Sequence, residues 1–242
     1  MRFPAVLNPG DNFPPTHTAL TEPNGLLAIG GSLTQDTLLR AYQRGIFPWF
    51  EEPQPVLWWT PDPRAVLFVD ELHLSRSLKK TMRRECYRLT FDEAFPRVLD
   101  ACAEPRMGQG GTWIGTEMRR AYIGLHKAGW AHSVEVWEDE SLIGGLYGVC
   151  LANSFFGESM FSRRSNASKI AMAALIVTLG GKGVDMVDCQ VESEHLSSLG
   201  ARLIPRDQFE HLLINAAQRS FEPAHWSAPA STCKELVQML PK

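Results

Sequence analysis

The sequence places a carboxylate and a carboxamide two residues apart in an otherwise apolar segment. Residues 184–191 (VDMVDCQV) are predicted to form a strand, and the alternation of side chains puts Asp188 and Gln190 on one face. Cys189, on the opposite face with the valines, is predicted to be a packed core thiol rather than a nucleophile. Because a buried acid or amide without a partner is costly, the Asp188–Gln190 pair is predicted either to tie the core together or to meet a substrate.

A second polar group follows a predicted strand and leads into a predicted helix, at residues 155–169 (FFGESMFSRRSNASK). Glu158 could hold a cation here, and Arg163 and Arg164 with the amides of the helix N-terminus could hold a phosphate. A coenzyme A acetyltransferase is expected to carry a glycine-rich phosphate loop at this junction. Those glycines are missing, which weakens the prediction of a coenzyme A donor.

A basic helix is predicted over residues 74–88, where six cations against Glu85 alone give a local net charge of +5. Helical periodicity puts one set of cations on one arc, opposite Leu74, Leu78 and Met82. That set is Arg76, Lys79, Lys80, Arg83 and Arg84. Such an arc is either a solvated face or a surface for a phosphate backbone, and the lack of interleaved acids favours phosphate.

Two tryptophans lie in segments that are unusual for plain linkers. Trp49 belongs to an aromatic, proline-broken run, and Trp113 ends a glycine-rich loop at residues 108–113 that lacks the Lys-Ser/Thr of a nucleotide-binding loop. The aromatic run is predicted to be either a hydrophobic seam between domains or a surface on which a ligand stacks. Scattered cysteines and histidines favour neither a disulfide framework nor a metal, so no metal site is expected.

The elements that must position these groups alternate along the chain. Strands are predicted near residues 66–69, 131–137, 142–149, 151–156, 184–191 and 202–205, and helices near 74–88, 91–103, 116–129, 167–179, 194–199 and from 207. Hairpin strands followed by helix, strand, helix and strand predict an α+β fold with a core of the N-acetyltransferase (GNAT) type. A small N-terminal α/β domain is predicted at 1–62, the acyltransferase domain at 63–242, and a loosely docked tail over the last twenty residues.

The composition limits the classes of protein. The chain has 242 residues, 44% of them hydrophobic, and a formal net charge of −3, so the residues outside the basic helix carry −8. This excludes a globally basic nucleic-acid coat and a mainly disordered chain. No stretch approaches the roughly 18 apolar residues of a membrane helix, so a soluble cytoplasmic protein is expected.

Taken together, the motifs resemble one family, the bacterial leucyl/phenylalanyl-tRNA protein transferases. The resemblance runs from about residue 13 to 209, and its order along the chain makes it specific, although Thr60 stands where serine is expected. The matching segments are NGLLAIGG at 24–31, GIFPWF at 45–50, WWTPDPR at 58–64, SRSL at 75–78, GTWI at 111–114, AHSVE at 131–135, GESMFS at 157–162, ASK at 167–169, DCQ at 188–190 and HLSSLGA at 195–201.

The resemblance implies an aminoacyltransferase that needs no cofactor. Such an enzyme moves Leu or Phe, and Met more weakly, from aminoacyl-tRNA to the α-amine of proteins that begin with Arg or Lys, which marks them for degradation by the N-end rule. It is expected to act as a monomer and away from membranes. A coenzyme A acetyltransferase and a catalytically inert tRNA-binding module are the alternatives.

The resemblance also implies roles for individual residues. Asp188 would orient and polarise the acceptor amine, Gln190 would fix Asp188 or the donor carbonyl, and Glu158 would pair with the acceptor's basic side chain or hold the reacting groups. Trp49 and Trp113 would stack on the terminal adenosine or wall the site, and the basic arc would touch tRNA phosphates. The donor side chain would enter an apolar pocket formed by Phe155, Gly157, Met160, Met172, Leu175, Leu179 and Val187.

Overall fold

The N-terminal part of the chain folds around a small sheet. The computed structural model describes residues 3–104, 114–151, 154–217, 226–229 and 231–240. Four strands pair in the order β1-β2-β4-β3, and the helix α1 begins after Thr34, whose side chain accepts a hydrogen bond from the amide of Thr37. The elements are β1 (Ala5–Leu7), β2 (Leu26–Gly30), α1 (Gln35–Tyr42), β3 (Phe47–Pro48) and β4 (Leu57–Trp59).

A seven-stranded sheet forms the rest of the protein, in the order β11-β5-β10-β9-β8-β7-β6. Within the described residues of this sheet, β9 and β10 pair in parallel and the other neighbouring strands are antiparallel. The strands are β5 (Arg64–Phe68), β6 (Arg88–Phe91), β7 (Ala131–Glu138), β8 (Ser141–Leu151), β9 (Ser154–Ser162), β10 (Met186–Gln190) and β11 (Arg202–Ile204). The helices are α2 (Arg76–Arg84), α3 (Phe95–Ala103), α4 (Thr116–Lys127), α5 (Ala167–Gly181), α6 (Glu194–Ser197), α7 (Arg206–Ala217) and α8 (Cys233–Met239).

Two hydrophobic cores lie on opposite faces of this sheet. The first core joins the N-terminal elements to α3, α4 and α7, and the second joins α2, α5 and α8. Helix α5 is apolar around its whole circumference, with 11 of its 15 residues buried, as expected of a helix covered on all sides. Within the described part of the chain, none of the helices combines the length and the apolar character that crossing a bilayer demands.

The mixture of two sheets and eight helices confirms the predicted α+β class for the described residues. The small sheet ends at Trp59 and the large sheet begins at Arg64. The division into domains at residues 62 and 63 nevertheless stays a prediction, because the first core is continuous across it. Tyr42 of α1, for example, packs against Phe156 of β9 with ring centroids 5.0 Å apart.

Three predicted boundaries were wrong. The basic helix is shorter than 74–88 because Glu85 is already extended and Arg88 starts β6. The helix predicted from 91 begins at Phe95, since residues up to 91 pair with β7 and Asp92 turns the chain at a φ of 59°. The third strand of the meander is not 151–156 but Ser154–Ser162, because residues 157–162 continue the ladder with β8.

The described C-terminal residues are not the loosely docked tail that the sequence predicts. Trp226 is 5% exposed and stacks on His132 at 3.9 Å between ring centroids, while its amide donates to Asp92 Oδ2 at 2.8 Å. Helix α8 packs against α2, and the Cys233 thiol donates to the carbonyl oxygen of Glu85 at 2.8 Å. The C-terminal segment therefore supports the helix that carries the basic arc.

We expect Trp226→Ala to lower the free energy of unfolding by about 3–5 kcal/mol, because it empties a large site in the second core. Urea unfolding followed by circular dichroism measures the change. Met239→Ala serves as the control, since Met239 is 48% exposed on the same segment and its loss should matter little. Equal midpoints for the two variants would mean that the segment does not contribute to the core.

Candidate active site

A cleft opens where the parallel strands β9 and β10 stop pairing. Their ladder covers only 154–156 of β9 against 186–188 of β10, and both strands continue beyond it. The cleft has a volume of about 990 Å³ and is lined by residues of both strands together with β3, β8, α3 and α5. A gap between strands in the middle of a sheet gives a ligand access to side chains that are otherwise buried.

A β-bulge in each strand sits at this gap. In β9, Ser159 pairs with Tyr147 and Gly157 pairs with Gly148, which leaves Glu158 as the extra residue. Gly148 permits this close approach, because a Cβ there would lie 2.2 Å from the carbonyl oxygen of Phe156. In β10 the register shifts between Asp188 and Gln190, and Gln190 has a φ of 64°. Since bulges redirect side chains, the two irregularities aim Glu158 and Gln190 at each other.

Glu158 is a buried carboxylate that lines the cleft, unlike the exposed Glu51 and Glu104 at its edge. It is 8% exposed, and its Oε1 lies 2.8 Å from the Tyr42 hydroxyl and accepts from Gln190 Nε2 at 2.9 Å. Its Oε2 lies 2.6 Å from the Tyr122 hydroxyl. Burial raises the pKa of Glu158 to about 7, and the nearby Asp188 carboxylate also raises it, against the opposing effect of these hydrogen bonds. A group with this pKa can accept and release a proton near neutral pH.

Asp188 does not face the cleft, contrary to its predicted contact with the acceptor amine. Both Asp188 and Arg64 have fully buried side chains, and they form a two-pronged ion pair, Nε to Oδ1 at 2.8 Å and Nη2 to Oδ2 at 2.6 Å. The guanidinium also lies 4.8 Å from the ring centroid of Phe47 and 4.7 Å from that of Phe209. The amide of Gln190 donates to Asp188 Oδ1 at 2.9 Å, so the pair anchors the β10 bulge.

Gln190 presents its carbonyl end to the cleft. Its Nε2 is used by Glu158, and no residue in the described ranges hydrogen-bonds its Oε1. The predicted facing of β10 is confirmed: Asp188 and Gln190 bond to Arg64 and Glu158, which reach Phe47 and Tyr42 of the first core. Val187 and Cys189 belong to the second core. Burial raises the pKa of the Cys189 thiol, as expected of a packed cysteine rather than a nucleophile.

The wall of the cleft on the α5 side is apolar. Five of the seven residues predicted for the donor pocket line it: Phe155, Gly157, Met160, Met172 and Val187. Leu175 and Leu179 do not; both are fully buried in the second core, further along α5. The prediction that Leu175 and Leu179 line the pocket therefore finds no support, since Met172 is the last residue of α5 that lines the cleft.

The cations predicted near the cleft have carboxylate partners. Arg163 pairs with Glu104 and also donates to the carbonyl oxygen of Leu142, and Arg164 pairs with Glu138 at 3.0 Å. A phosphate would have to displace these acids. Among the residues that the structure describes, no three His, Cys, Asp or Glu side chains are grouped to hold a metal ion.

Trp49 lies at the rim of the cleft, 46% exposed, with its carbonyl oxygen held by Trp59 Nε1 at 2.7 Å. An exposed aromatic ring with a fixed backbone is suited to stacking. Trp113, the other predicted tryptophan, lies outside the described residues. Its predicted role stays a prediction.

The basic arc lies on α2, away from the residues that line the cleft. Leu78 and Met82 are buried as predicted, and Ser75 caps the helix by accepting from the amide of Leu78. Arg84 pairs with Glu85 at 2.6 Å. No side-chain hydrogen bond or ion pair with a residue in the described ranges is formed by the remaining four members, Arg76, Lys79, Lys80 and Arg83. The arc is thus available to a polyanion, at some distance along the surface from the chemistry.

Three residues of the site escape the sequence reasoning. Arg64 is the first residue of the buried strand β5. An arginine next to the apolar run of residues 65–68 indicates a buried cation, and a buried cation needs an acidic partner. Tyr42 and Tyr122 lie on the apolar stripes of their helices, where they read as packing residues. Only the fold brings their hydroxyls to Glu158.

Comparison with known proteins identifies the family. The family model described as "Leucyl/phenylalanyl-tRNA protein transferase" matches residues 66–214, and the model for the N-terminal domain of the same family matches residues 31–62. Proteins named leucyl/phenylalanyl-tRNA–protein transferase match in Methylococcus capsulatus (52% identity, 91% of this chain and 95% of that one) and Pseudomonas fluorescens (56%, 84% and 89%). One from Chromobacterium violaceum is 57% identical over 84% of this chain and 87% of its own.

One solved structure is only distantly similar to the chain. The structure of L-PGS from Bacillus licheniformis matches at 12% identity with a TM-score of 0.39, over 71% of this chain and 57% of that one, and this likeness supports no inference about fold or activity. The sequence matches are decisive by themselves: the chain belongs to the leucyl/phenylalanyl-tRNA protein transferase family and is an aminoacyltransferase.

Proposed function

We propose that the chain transfers leucine or phenylalanine, and methionine more weakly, from aminoacyl-tRNA to the N-terminal α-amine of proteins that begin with Arg or Lys. The product would be marked for degradation through its new N-terminus. Family membership supports the reaction class. The observation that supports the chemistry is the contact of Gln190 with Glu158, at 2.9 Å, inside a cleft with one apolar wall.

The reaction asks for positioning and for a proton acceptor. Aminolysis of an ester is downhill, so holding the amine against the carbonyl carbon supplies much of the acceleration. An N-terminal amine has a pKa of about 8 and must be neutral before it attacks. In the proposed arrangement, Gln190 Oε1 accepts a hydrogen bond from the amine, and Glu158, with its pKa raised to about 7, takes the proton.

The apolar wall explains the tolerance for several donors. Phe155, Met160, Met172 and Val187 would surround the side chain of the amino acid carried by the tRNA. A hydrophobic pocket discriminates one methylene by only about 1–3 kcal/mol, so Leu, Phe and Met would all be accepted to different degrees. Two of the four are methionines, whose flexible side chains adapt to different shapes.

Asp188 takes a positioning role in this proposal. Its carboxylate, held by Arg64, fixes the amide of Gln190 in the left-handed backbone conformation that aims the carboxamide into the cleft. The divergent parallel strands β9 and β10 next to the buried helix α5 further support a core of the GNAT type. We expect a monomer that works in the cytoplasm without a cofactor.

A label-transfer experiment tests the function. The protein is incubated with a peptide beginning with Arg and with either [14C]Phe-tRNA or [14C]acetyl-coenzyme A, and the peptide is isolated and counted. Label from Phe-tRNA alone supports the proposal. Label from acetyl-coenzyme A would identify an acetyltransferase, and tRNA binding without transfer of either label would identify an inert tRNA-binding module. Peptides beginning with Lys, Ala and Asp measure the preference for basic N-termini.

Charge reversal on α2 tests the contact with tRNA. We expect the double variant Arg83→Glu/Arg84→Glu to weaken tRNA binding and to flatten the slope of log K against log salt by about 1.5–2, because two phosphate contacts are lost. Binding is measured by fluorescence anisotropy at several salt concentrations. Arg119→Glu/Arg202→Glu is the matched control: it changes the net charge equally on other elements, at residues paired with Asp100 and Glu71. Equal slopes of log K against log salt for both double variants would mean that the basic arc of α2 is an ordinary solvated face that does not contact tRNA.

A further inference from the structure

Glu158 and two tyrosines form a closed ring of three short oxygen–oxygen contacts. The Tyr42 and Tyr122 hydroxyls lie 2.6 Å apart, Tyr42 lies 2.8 Å from Glu158 Oε1, and Tyr122 lies 2.6 Å from Glu158 Oε2. Each contact at such a distance needs one hydrogen between its oxygens. The two hydroxyls supply only two hydrogens for the three contacts. If the carboxylate is ionised, one of the contacts therefore has no hydrogen and brings the lone pairs of two oxygens together.

A proton on Glu158 supplies the missing hydrogen of the ring. The hydrogen bond from Gln190 to Glu158 decides which carboxyl oxygen carries it. Because Gln190 Nε2 donates to Oε1, Oε1 is best left as the carbonyl oxygen, and the proton resides on Oε2. Oε2 then donates to Tyr122, Tyr122 donates to Tyr42, and Tyr42 donates to Oε1. Every hydrogen in the ring has an acceptor in this arrangement. The three short distances are those expected of the proton-filled ring.

We propose that Tyr42 and Tyr122 are positioning residues that act through Glu158, so that the three side chains together accept the proton of the acceptor's α-ammonium group. The inference rests on the proposed function. With Glu158 ionised the ring lacks one hydrogen, and a proton taken from the ammonium closes it. The two tyrosines thus favour the step that frees the attacking amine.

Among the described residues, none of the groups that act on the ring is a cation. Asp188 and Tyr147 are the other titratable groups that act on Glu158 and its tyrosines, Asp188 by raising the pKa of Glu158. Arg64 is bound to Asp188. Burial and the neighbouring carboxylate raise the pKa of Tyr42 and of Tyr122 well above the usual value, so both hydroxyls keep their hydrogens in either state of the ring.

The proton balance of the transfer is simple. The ammonium gives one proton to Glu158, the neutral amine forms the C–N bond, and the bond from the carbonyl carbon to the ribose oxygen breaks. The leaving oxygen takes the proton held by the ring, and the nitrogen then gives a second proton back to the ring. The ring finally releases that proton to solvent, so one proton leaves per amide formed from an ammonium.

Removing either hydroxyl tests the inference through the pH dependence of transfer. At pH 7, Tyr42→Phe and Tyr122→Phe should each lower kcat/KM by about tenfold or more, because the proton acceptor is impaired. At about pH 9.5 the acceptor amine is already neutral in solution, and the deficit should shrink to under about threefold. A merely structural role predicts the same deficit at both pH values, and that result, or no deficit at pH 7, would overturn the inference.

Phenylalanine keeps the packing of the aromatic side chain in both variants. Tyr87→Phe is the control for loss of a hydroxyl outside the cleft, and its kcat/KM is expected to be unchanged. Infrared difference spectra of wild type minus Glu158→Gln, without substrate, give a readout that does not need transfer. A protonated-carboxyl band at pH 6 that disappears at alkaline pH supports the ring, and its absence at pH 6 overturns it. A wild type that shows this band but transfers no label would refute the proposed function instead.

Discussion

Replacement of Asp188 with alanine is expected to lower the free energy of unfolding by about 3–5 kcal/mol, because Arg64 would be left as a buried charge without a partner. Transfer should be lost as well, since the amide of Gln190 loses its anchor at Asp188 Oδ1. Urea unfolding measures the first effect, and label transfer by the folded protein at low temperature measures the second. Binding of tRNA by the folded protein should stay near that of the wild type.

A double variant separates the two effects. Asp188→Ala/Arg64→Met removes both charges, so it should be more stable than Asp188→Ala alone. It should remain defective in transfer, because Gln190 is still not anchored. If Asp188→Ala were as stable as the wild type and turned over normally, the ion pair would be neither structural nor required for the site.

Replacement of Glu158 with glutamine is expected to reduce transfer at pH 7 by about 10²–10⁴-fold, the usual contribution of a positioned acid or base. Glutamine keeps the shape of the side chain, and its carboxamide can still bond to both tyrosine hydroxyls, but it cannot take a proton. The donor affinity should change little, because the apolar wall is untouched. Single-turnover measurements with preformed enzyme–tRNA complex isolate the chemical step, and a rate within a factor of about three of the wild type would exclude Glu158 as the acceptor.

The same variant should alter the pH dependence of stability in a definite direction. The pKa of Glu158 is about 7 in the folded protein, above its ordinary value of 4.5, so the folded state binds the proton more tightly than the unfolded state. The stabilisation that the folded state gains by binding this proton is present at low pH and is lost as the pH rises from about 4.5 to 7. Glu158→Gln removes this loss, so between pH 5 and 8 the variant should gain about 2.5 kcal/mol of stability relative to the wild type. A constant difference across that range would contradict the raised pKa.

Local patterns predicted most of the elements because most of them are strongly periodic. The buried helix α5 and the strand β7 follow directly from apolar composition and alternation. The boundaries of β9 could not be predicted, because its outer half faces a cleft and so carries Gly157, Glu158 and Ser159 where a packed strand would carry apolar residues. Strand pairing with β8, a long-range property, overrides that local signal.

The sequence indicates which polar residues belong to the candidate site, but it does not indicate how they are arranged. Asp188, Gln190 and Glu158 stand out because polar groups are rare in apolar strands, but their partners come from far along the chain. Arg64 is 124 residues from Asp188, and Tyr42 is 116 residues from Glu158. The bulges that bring Glu158 and Gln190 together depend on how β9 and β10 pair with their neighbours, which the local sequence does not reveal. The resemblance placed Asp188 against the acceptor amine, whereas the structure buries Asp188 against Arg64 and puts Glu158 in the cleft.

The wide separation of Glu158's partners has a consequence for a newly made chain. Tyr42, Tyr122 and Gln190 come from the first, middle and last thirds of the sequence, and the carboxylate reaches its working environment only when all three have met. A nascent chain whose residue 190 has not yet emerged from the ribosome lacks the contact of Gln190 with Glu158. With the role proposed for Glu158, we therefore expect no transfer activity before the strand that carries Gln190 has joined the sheet.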